Sequence, residues 1–332
     1  MQIIKPKVEI INEPDTLKRI ELAGRTCYKS EDRITNDSAE KFFKAIVKRN
    51  HTSVLEHSNL IIKANNRPTA VHLVDMLHEF AGRTMKPYHI RTQYSVPCCS
   101  SDREFLCGSD AIFSGNLRAW REIVSMYRRE PLFCKLFYNH PWFEDIYMND
   151  LKESSMPVTM TEHFDSYYHE LAQGEIVPYA PGKIHNIITA RFTCSRGVSH
   201  ELVRHREMSF SQESTRYVKY GNLLVIEPWW FNDTSMANHQ AMIDHFIDFN
   251  IRSEQDYNTY IDMGATPQLA RGALNNDLKT EVVVTGTIAA WERFLALRES
   301  AAAHPDIRII ASLFREASQI DTIDWEDYYY AR

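Results

Sequence analysis

The sequence has no run of about 18 apolar residues, so no membrane-spanning helix is expected. Its start, Met1-Gln2-Ile3-Ile4-Lys5-Pro6-Lys7, has no apolar h-region, so no secretory signal is expected and a cytoplasmic location is. Basic charge is not in excess: 38 Lys and Arg face 44 Asp and Glu, a net charge of -6. Proteins that grip nucleic-acid backbones are usually basic. Neither nucleic acid nor a membrane is therefore an expected partner, although a local anion pocket stays open. The six cysteines (Cys27, Cys98, Cys99, Cys107, Cys134 and Cys194) form no C-x-x-C pair, and their spacing fits no zinc framework. No metal is expected, and the thiols should be reduced. A P-loop and a G-x-G-x-x-G are both absent, so neither common nucleotide fingerprint applies.

What is present is a chain of 332 residues, 44% hydrophobic and 25% charged, ordinary values for a globular protein. That length can bury a sizeable core in one domain or two. Strands are expected over Lys7–Ile11, Ser58–Ala64, His185–Cys194 and Leu223–Ile226. In the third, Ile187, Thr189, Arg191 and Thr193 share one face. Helices are expected over Asp15–Cys27, Ser38–Arg49 (capped by Asp37/Ser38), Val198–His205, Ala237–Asp262, Ile288–Ala303 and Asp306–Ala317, with a further start at Thr266-Pro267. The expected fold class is α/β, in the α+β sense: a mixed sheet with long helices. Loop signals at Asn65-Asn66-Arg67-Pro68 and Tyr179-Ala180-Pro181-Gly182-Lys183 bracket a middle segment. The domain expectation is one catalytic domain, 1–64 with 184–320, interrupted by a mainly helical insertion at 65–183 and followed by an acidic, aromatic tail at 321–332.

Chemistry concentrates in Arg204-His205-Arg206-Glu207-Met208-Ser209-Phe210-Ser211-Gln212-Glu213-Ser214-Thr215-Arg216-Tyr217. Guanidinium groups bind phosphate in a bidentate manner, and hydroxyls add short donors. Three readings are open. A solvated basic face fits poorly, because Met208, Phe210 and Tyr217 are interleaved. A nucleic-acid patch with stacking aromatics is opposed by Glu207, Glu213 and the acidic chain. A small-molecule phosphate site fits the composition. The nearby His200-Glu201-Leu202-Val203-Arg204-His205 imitates the zinc motif H-E-x-x-H, but its histidines are one residue too far apart. On a helix they would sit about 140° apart rather than about 40°.

The pattern R-H-R-x-x-S-x-x-x-x-S-x-R-Y over Arg204–Tyr217, led in by Val198-Ser199-His200-Glu201-Leu202-Val203, resembles the signature of the flavin-dependent thymidylate synthases. Arg25-Thr26-Cys27-Tyr28 and His51-Thr52-Ser53-Val54-Leu55-Glu56-His57 resemble that family's N-terminal half. Ala270-Arg271 and Phe294-Leu295-Ala296-Leu297-Arg298 resemble its C-terminal half. The resemblance covers roughly 1–64 and 184–320. It implies reductive methylation of dUMP to dTMP, with FAD as cofactor, NADPH as reductant and methylenetetrahydrofolate as one-carbon donor, in a homotetramer. Carried over residue by residue, it implies that Glu201, Arg204, Gln212, Ser214, Thr215, Arg216, Arg271 and Arg298 hold dUMP. By the same resemblance Ser53, Glu56, Arg204, His205, Arg206 and Gln212 hold FAD, Ser53 and Glu56 doing so from a neighbouring subunit. Arg298 is the catalytic candidate, set against uracil to stabilise developing charge. Its own helix agrees, since Trp291, Leu295 and Arg298 share one face; an internal salt bridge is the other reading. The alternative function is a non-catalytic or non-methylating flavin or nucleotide binder.

The sequence departs from the family at Thr287, Ala289 and Arg293, where an Asn-x-Arg pair and a later amide or histidine usually stand. The segment Ser114–Ile123 resembles Thr285–Phe294 and carries Asn116 and Arg118 at the first two of those positions. Either these residues stand in for Thr287 and Ala289, or the likeness is a shared helix start. Tyr88, Arg91, Gln93 and Tyr94 form a polar-aromatic cluster that could line a pocket or simply be surface. His51 and His57 are expected to be structural, and Cys194 a core thiol.

Overall fold

Asp15 begins the first helix by accepting a hydrogen bond from the Lys18 amide at 3.0 Å, and Lys29 closes it in the left-handed region with φ 48°. Helix α1 therefore spans Thr16–Tyr28, and α2 follows over Ser38–Lys48. The cap expected of Asp37/Ser38 is not made. Asp37 forms no side-chain capping bond, and the Ser38 hydroxyl bonds Glu21 Oε2 at 2.8 Å instead. Gly24 lets α1 lie close to α2, since a Cβ there would run into the Phe42 ring. These elements belong to a computed structural model that describes residues 1–83, 98–99, 111–148, 170–180 and 182–322. The Tyr88–Tyr94 cluster and the acidic tail lie outside the described residues.

The chain divides into two compact units, one made of Met1–His57 with Ile188–Ile323 and the other containing Ser58–Ile187. The Ser58–Ala64 stretch, grouped by sequence with the catalytic part, thus contributes to the second unit.

The first unit is built on a four-stranded sheet of β2 (Lys7–Ile10), β7 (Ile187–Ser195), β10 (Lys279–Thr287) and β8 (Ser209–Gln212), in that order. β2 runs antiparallel to β7 with Val8 opposite Phe192, and β8 runs antiparallel to β10 with Gln212 opposite Val282. A separate ribbon pairs β1 (Gln2–Ile4) with β9 (Leu224–Ile226) in parallel. The helices are α7 (Arg196–Leu202), α8 (His239–Asp262), α9 (Pro267–Ala270), α10 (Ile288–Arg298) and α11 (Pro305–Ser318). Helix α10 ends five residues before its expected limit, and the next residue, Glu299, is taken by both Arg315 Nε and Nη2 at 2.8 and 2.6 Å. The core centres on Trp291, which stacks on Phe314 at 3.9 Å and meets Phe294 edge-on at 5.5 Å.

The second unit has its own four-stranded sheet, β4 (Cys98–Cys99), β5 (Ala111–Gly115), β3 (Leu60–Ala64) and β6 (Gly174–Val177) in order. Its helices are α3 (Arg67–Arg83), α4 (Leu117–Met126), α5 (Pro131–Phe137) and α6 (Glu144–Met148). The core gathers Trp120, Phe133, Phe137 and Phe143, all fully buried.

The two units repeat one plan. In each, a strand leads to a helix, an edge strand and a neighbouring strand follow, and that strand runs into a second helix: β7, α7, β8, β10, α10 and β3, α3, β4, β5, α4. The sheet orders match once one is reversed. The second helix is capped by Thr287 in one unit and Asn116 in the other, each accepting from the amide three residues on, at 3.2 and 2.9 Å. One turn later a buried indole donates to the first strand, Trp291 to the Ile188 carbonyl at 3.0 Å and Trp120 to the Leu60 carbonyl at 2.9 Å. Two residues before each cap a hydroxyl meets a histidine Nδ1: Thr285 with His57 at 2.9 Å and Ser114 with His185 at 2.8 Å. The likeness of Ser114–Ile123 to Thr285–Phe294 is therefore a shared strand–cap–helix frame. The chain leaves each unit at or just after its histidine.

Burial pushes the His57 ring down to about 3 and the His185 ring down to about 4. In the unfolded chain both titrate near the ordinary value of about 6.5. Between these limits the unfolded chain binds protons that the folded chain refuses, so stability is lost as pH falls from about 6.5 towards 4. Each ring contributes at most about 1.4 kcal/mol per pH unit in that window. Urea midpoints at pH 7 and 4.5 should show the fall, and His57→Gln should flatten it by about one proton. An unchanged slope in the variant would remove His57 from the account.

Candidate functional site

Ser195 caps α7, its hydroxyl accepting from the Val198 amide at 3.2 Å. The helix ends at Leu202, so Arg204-His205-Arg206 occupy the turn beyond it and β8 starts at Ser209. His200 and His205 thus do not share a helix. Among the described residues, no group of three or more His, Cys, Asp or Glu side chains is placed to hold a metal ion. No helix among them is long and apolar enough to cross a membrane.

Arg298, the last residue of α10, reaches back to this turn. Its Nη1 donates to Glu201 Oε2 at 2.8 Å, its Nη2 to the Glu201 carbonyl at 3.1 Å, and its Nε to His205 Nε2 at 2.9 Å. The last bond makes His205 Nε2 an acceptor, so that ring is neutral and carries its proton on Nδ1. Burial and then the Arg298 charge push His205 down to about 4, consistent with that tautomer. The ring also meets Phe294 edge-on at 5.0 Å. The internal salt bridge is therefore made, and its partner is Glu201, itself a candidate ligand residue.

Strand β8 delivers the second group. Gln212 Nε2 donates to Ser199 Oγ at 2.8 Å and to Thr280 Oγ1 at 3.2 Å. The turn after it is tied by Tyr217 and Val218 amides to the Ser214 carbonyl and by the Ser214 amide to the Cys27 carbonyl at 2.9 Å. Thr215 is buried, and Arg216 is exposed, its Nε donating to Gln268 Oε1 at 3.1 Å and its guanidinium lying 5.3 Å from the Tyr217 ring centroid. Arg204, Arg206 and Arg271 are exposed. The described residues offer none of these three side chains an anionic partner. Exposed, unpaired guanidiniums on one matched segment suit a phosphate-bearing ligand.

Ser53 and Glu56 lie on the 3-10 turn Thr52–His57, which packs against α1, β8 and β10; Ser53 is exposed and Glu56 half-buried. His57 is buried between Thr285 Oγ1 and Ser211 Oγ, both at 2.9 Å. Cys194 is a buried thiol pushed up to about 12 by burial. Ser199 stood only within the lead-in to the signature, and Gln268 carried no local signal of its contact with Arg216. A signal for Lys279 and Glu281 did exist, since charges at alternate positions of an apolar strand share a face.

The departures have structural occupations. Thr287 caps α10, and Arg293 pairs with Glu207. Asn116 caps α4, and Arg118 Nε donates to Glu122 at 3.1 Å. With the helix caps aligned, the second unit has His72, Asp75, Met76, Leu77 and Tyr127 where the first has Glu201, Arg204, His205, Arg206 and Arg298. The arginine-rich set belongs to the first unit alone.

The fold is mixed α/β, its matched segment carries arginines that are exposed and lack an anionic partner among the described residues, and its sequence has neither a P-loop nor a glycine fingerprint. The chain belongs to the thymidylate synthase complementing protein family, whose defining pattern matches residues 9–76 and 184–320. A flavin-dependent thymidylate synthase of Corynebacterium efficiens is 35% identical over 127 residues, covering 35% of this chain and 51% of the relative. Its counterpart in Mycobacterium marinum is 32% identical over the same length and the same shares. The chain thus spans about half the length of these curated relatives. A solved structure of a UMP/dUMP methylase, PolB from Streptomyces cacaoi bound with 5-Br dUMP, aligns over 41% of this chain and 68% of that one, with 23% identity and a TM-score of 0.36.

Proposed function

We propose that this protein is a flavin-dependent thymidylate synthase that converts dUMP, methylenetetrahydrofolate, NADPH and a proton to dTMP, tetrahydrofolate and NADP+. The observation that carries the reading is the pair Arg204 and Arg206, exposed and without an anionic partner among the described residues, flanking His205 of the bonded Glu201–Arg298–His205 group. In this reading Glu201, Arg204, Gln212, Ser214, Thr215, Arg216, Arg271 and Arg298 hold dUMP. Ser53, Glu56, Arg204, His205, Arg206 and Gln212 hold FAD. The donor set fits both ligands, since each carries phosphate that free guanidiniums can fork. Bound flavin supplies the hydride that completes the methyl group, and NADPH restores it.

The chain's own residues orient and polarise. Gln212 is held by two hydroxyls, so its amide cannot swing away from the nucleotide. Arg298 is fixed by three bonds and offers a cation to the uracil carbonyl as charge develops on the ring. The homotetramer and the cytoplasmic location belong to the same proposal.

A second reading is a flavin or nucleotide binder that does not methylate, favoured by the structural occupations of Thr287 and Arg293. Purified protein given FAD, dUMP, methylenetetrahydrofolate and NADPH should form dTMP. A yellow protein that oxidises NADPH without forming dTMP, or a colourless one that binds dUMP, would move the assignment to the second reading.

A further inference from the structure

One buried cluster of charges is used by none of the roles above. Glu213 follows Gln212 and precedes Ser214, and its side chain is 1% exposed. Its Oε1 accepts from the Tyr220 hydroxyl at 3.0 Å. Its Oε2 accepts from Lys279 Nζ at 2.9 Å and from the Glu281 amide at 3.2 Å. Lys279 also meets Glu281 Oε1 at 2.7 Å, and Lys29, at the end of α1, meets Glu281 at 2.6 Å and Glu213 at 3.8 Å. Two lysines thus face two glutamates. Burial works against the Lys279 charge, but Glu213 and Glu281 outweigh it and its pKa is raised. Burial likewise opposes the Glu281 charge, yet Lys279 and Lys29 hold its pKa low. Tyr220 is pushed up by burial and by Glu213, so its hydroxyl keeps the proton it donates.

We propose that Glu213 is a positioning residue, whose carboxylate clasps the segment Ser214–Tyr220 shut and so sets the shape of the turn that presents Ser214, Thr215 and Arg216 to a nucleotide phosphate. One oxygen binds the far end of the segment at Tyr220, and the other binds β10. Both ends of the turn are therefore anchored to one group, which is desolvated and fully partnered. A buried carboxylate in a charge network costs free energy to desolvate and is retained only with every partner in place. Its location under the turn makes geometric specificity its use. The proposal rests on the reading of Ser214–Arg216 as dUMP ligands.

Tyr220→Phe opens the clasp without changing charge, and Glu213→Gln removes the charge with little change in shape. Two measurements on the full-length protein decide the matter. Amide hydrogen exchange over Ser214–Tyr220, without ligand, should accelerate at least tenfold in Tyr220→Phe. In wild type, dUMP should bind, and in the variant its Kd and KM should rise about tenfold, with kcat changed less than twofold and the flavin absorbance spectrum unmoved. A purely structural role would shift kcat and the flavin spectrum along with KM. Unchanged exchange, or faster exchange with an unchanged dUMP Kd, overturns the clasp. If wild type binds no dUMP, the functional reading fails instead. Where Glu213→Gln does not fold, Tyr220→Phe alone decides.

Discussion

On the proposed function, alanine in place of Arg298 should lower dTMP formation by about 10²–10³-fold, the effect of removing one preorganised donor from developing negative charge. The size follows from how the guanidinium is held. Glu201 takes two of its donors and His205 a third, so the side chain occupies one position with its charge intact. Preorganised cations need no reorganisation as the reaction proceeds. Glu201 supplies the compensating charge, and the neutral His205 ring adds none, so a net dipole stays directed along the guanidinium. Arg298→Lys keeps a point charge but cannot span the three partners. It should fall between the two, about tenfold below wild type. Single-turnover dTMP formation, quantified by chromatography, gives both values. An Arg298→Ala protein within threefold of wild type would reduce Arg298 to an internal salt bridge.

The largest stability effect should come from Trp291, on the same helix. Its ring is fully buried, stacks on Phe314 and Phe192, and donates its indole proton to the Ile188 carbonyl. Trp291→Ala removes the aromatic volume and leaves a buried carbonyl without its donor. A loss of about 3–5 kcal/mol is expected. In a unit of this size that lowers Tm by about 10 °C, read by calorimetry. Trp291→Phe keeps most of the packing and loses only the hydrogen bond, so its loss should be about 1–3 kcal/mol. Equal losses in the two variants would show that packing matters little there. Because Arg298 lies two turns further along α10, Trp291→Ala should also weaken dUMP methylation, with Trp291→Phe near wild type.

Local sequence marked several helices of the first unit and two strands of its four-stranded sheet, β7 and β2, but not β8 or β10, the other half of that sheet. Asp15 and Thr266-Pro267 mark helix starts that exist, because a short side-chain acceptor or a fixed φ acts on its own turn. The spacing from Arg204 to Tyr217 also marked the ligand-suited segment, since it is local and rich in one chemistry. Trp291, Leu295 and Arg298 could be placed on one face from the helical period alone.

Tertiary structure decided what no local rule reaches. The Ser38 hydroxyl is occupied elsewhere, accepting from the Thr35 amide and donating to Glu21, seventeen residues earlier. The burial of Glu213 against Lys279 depends on β10, which runs more than sixty residues later. Arg298 has its Glu201 and His205 partners only when α10 folds back over the turn after α7. The repeated frame of the two units shows in sequence only as the likeness of Ser114–Ile123 to Thr285–Phe294. The rest of it is carried by a hydroxyl–histidine bond and an indole bond in each unit, whose partners lie tens of residues apart or more. Local propensity acts over a turn or a strand, whereas pairing of buried charges and sheet order depends on which distant segments share a core, and only folding brings those together.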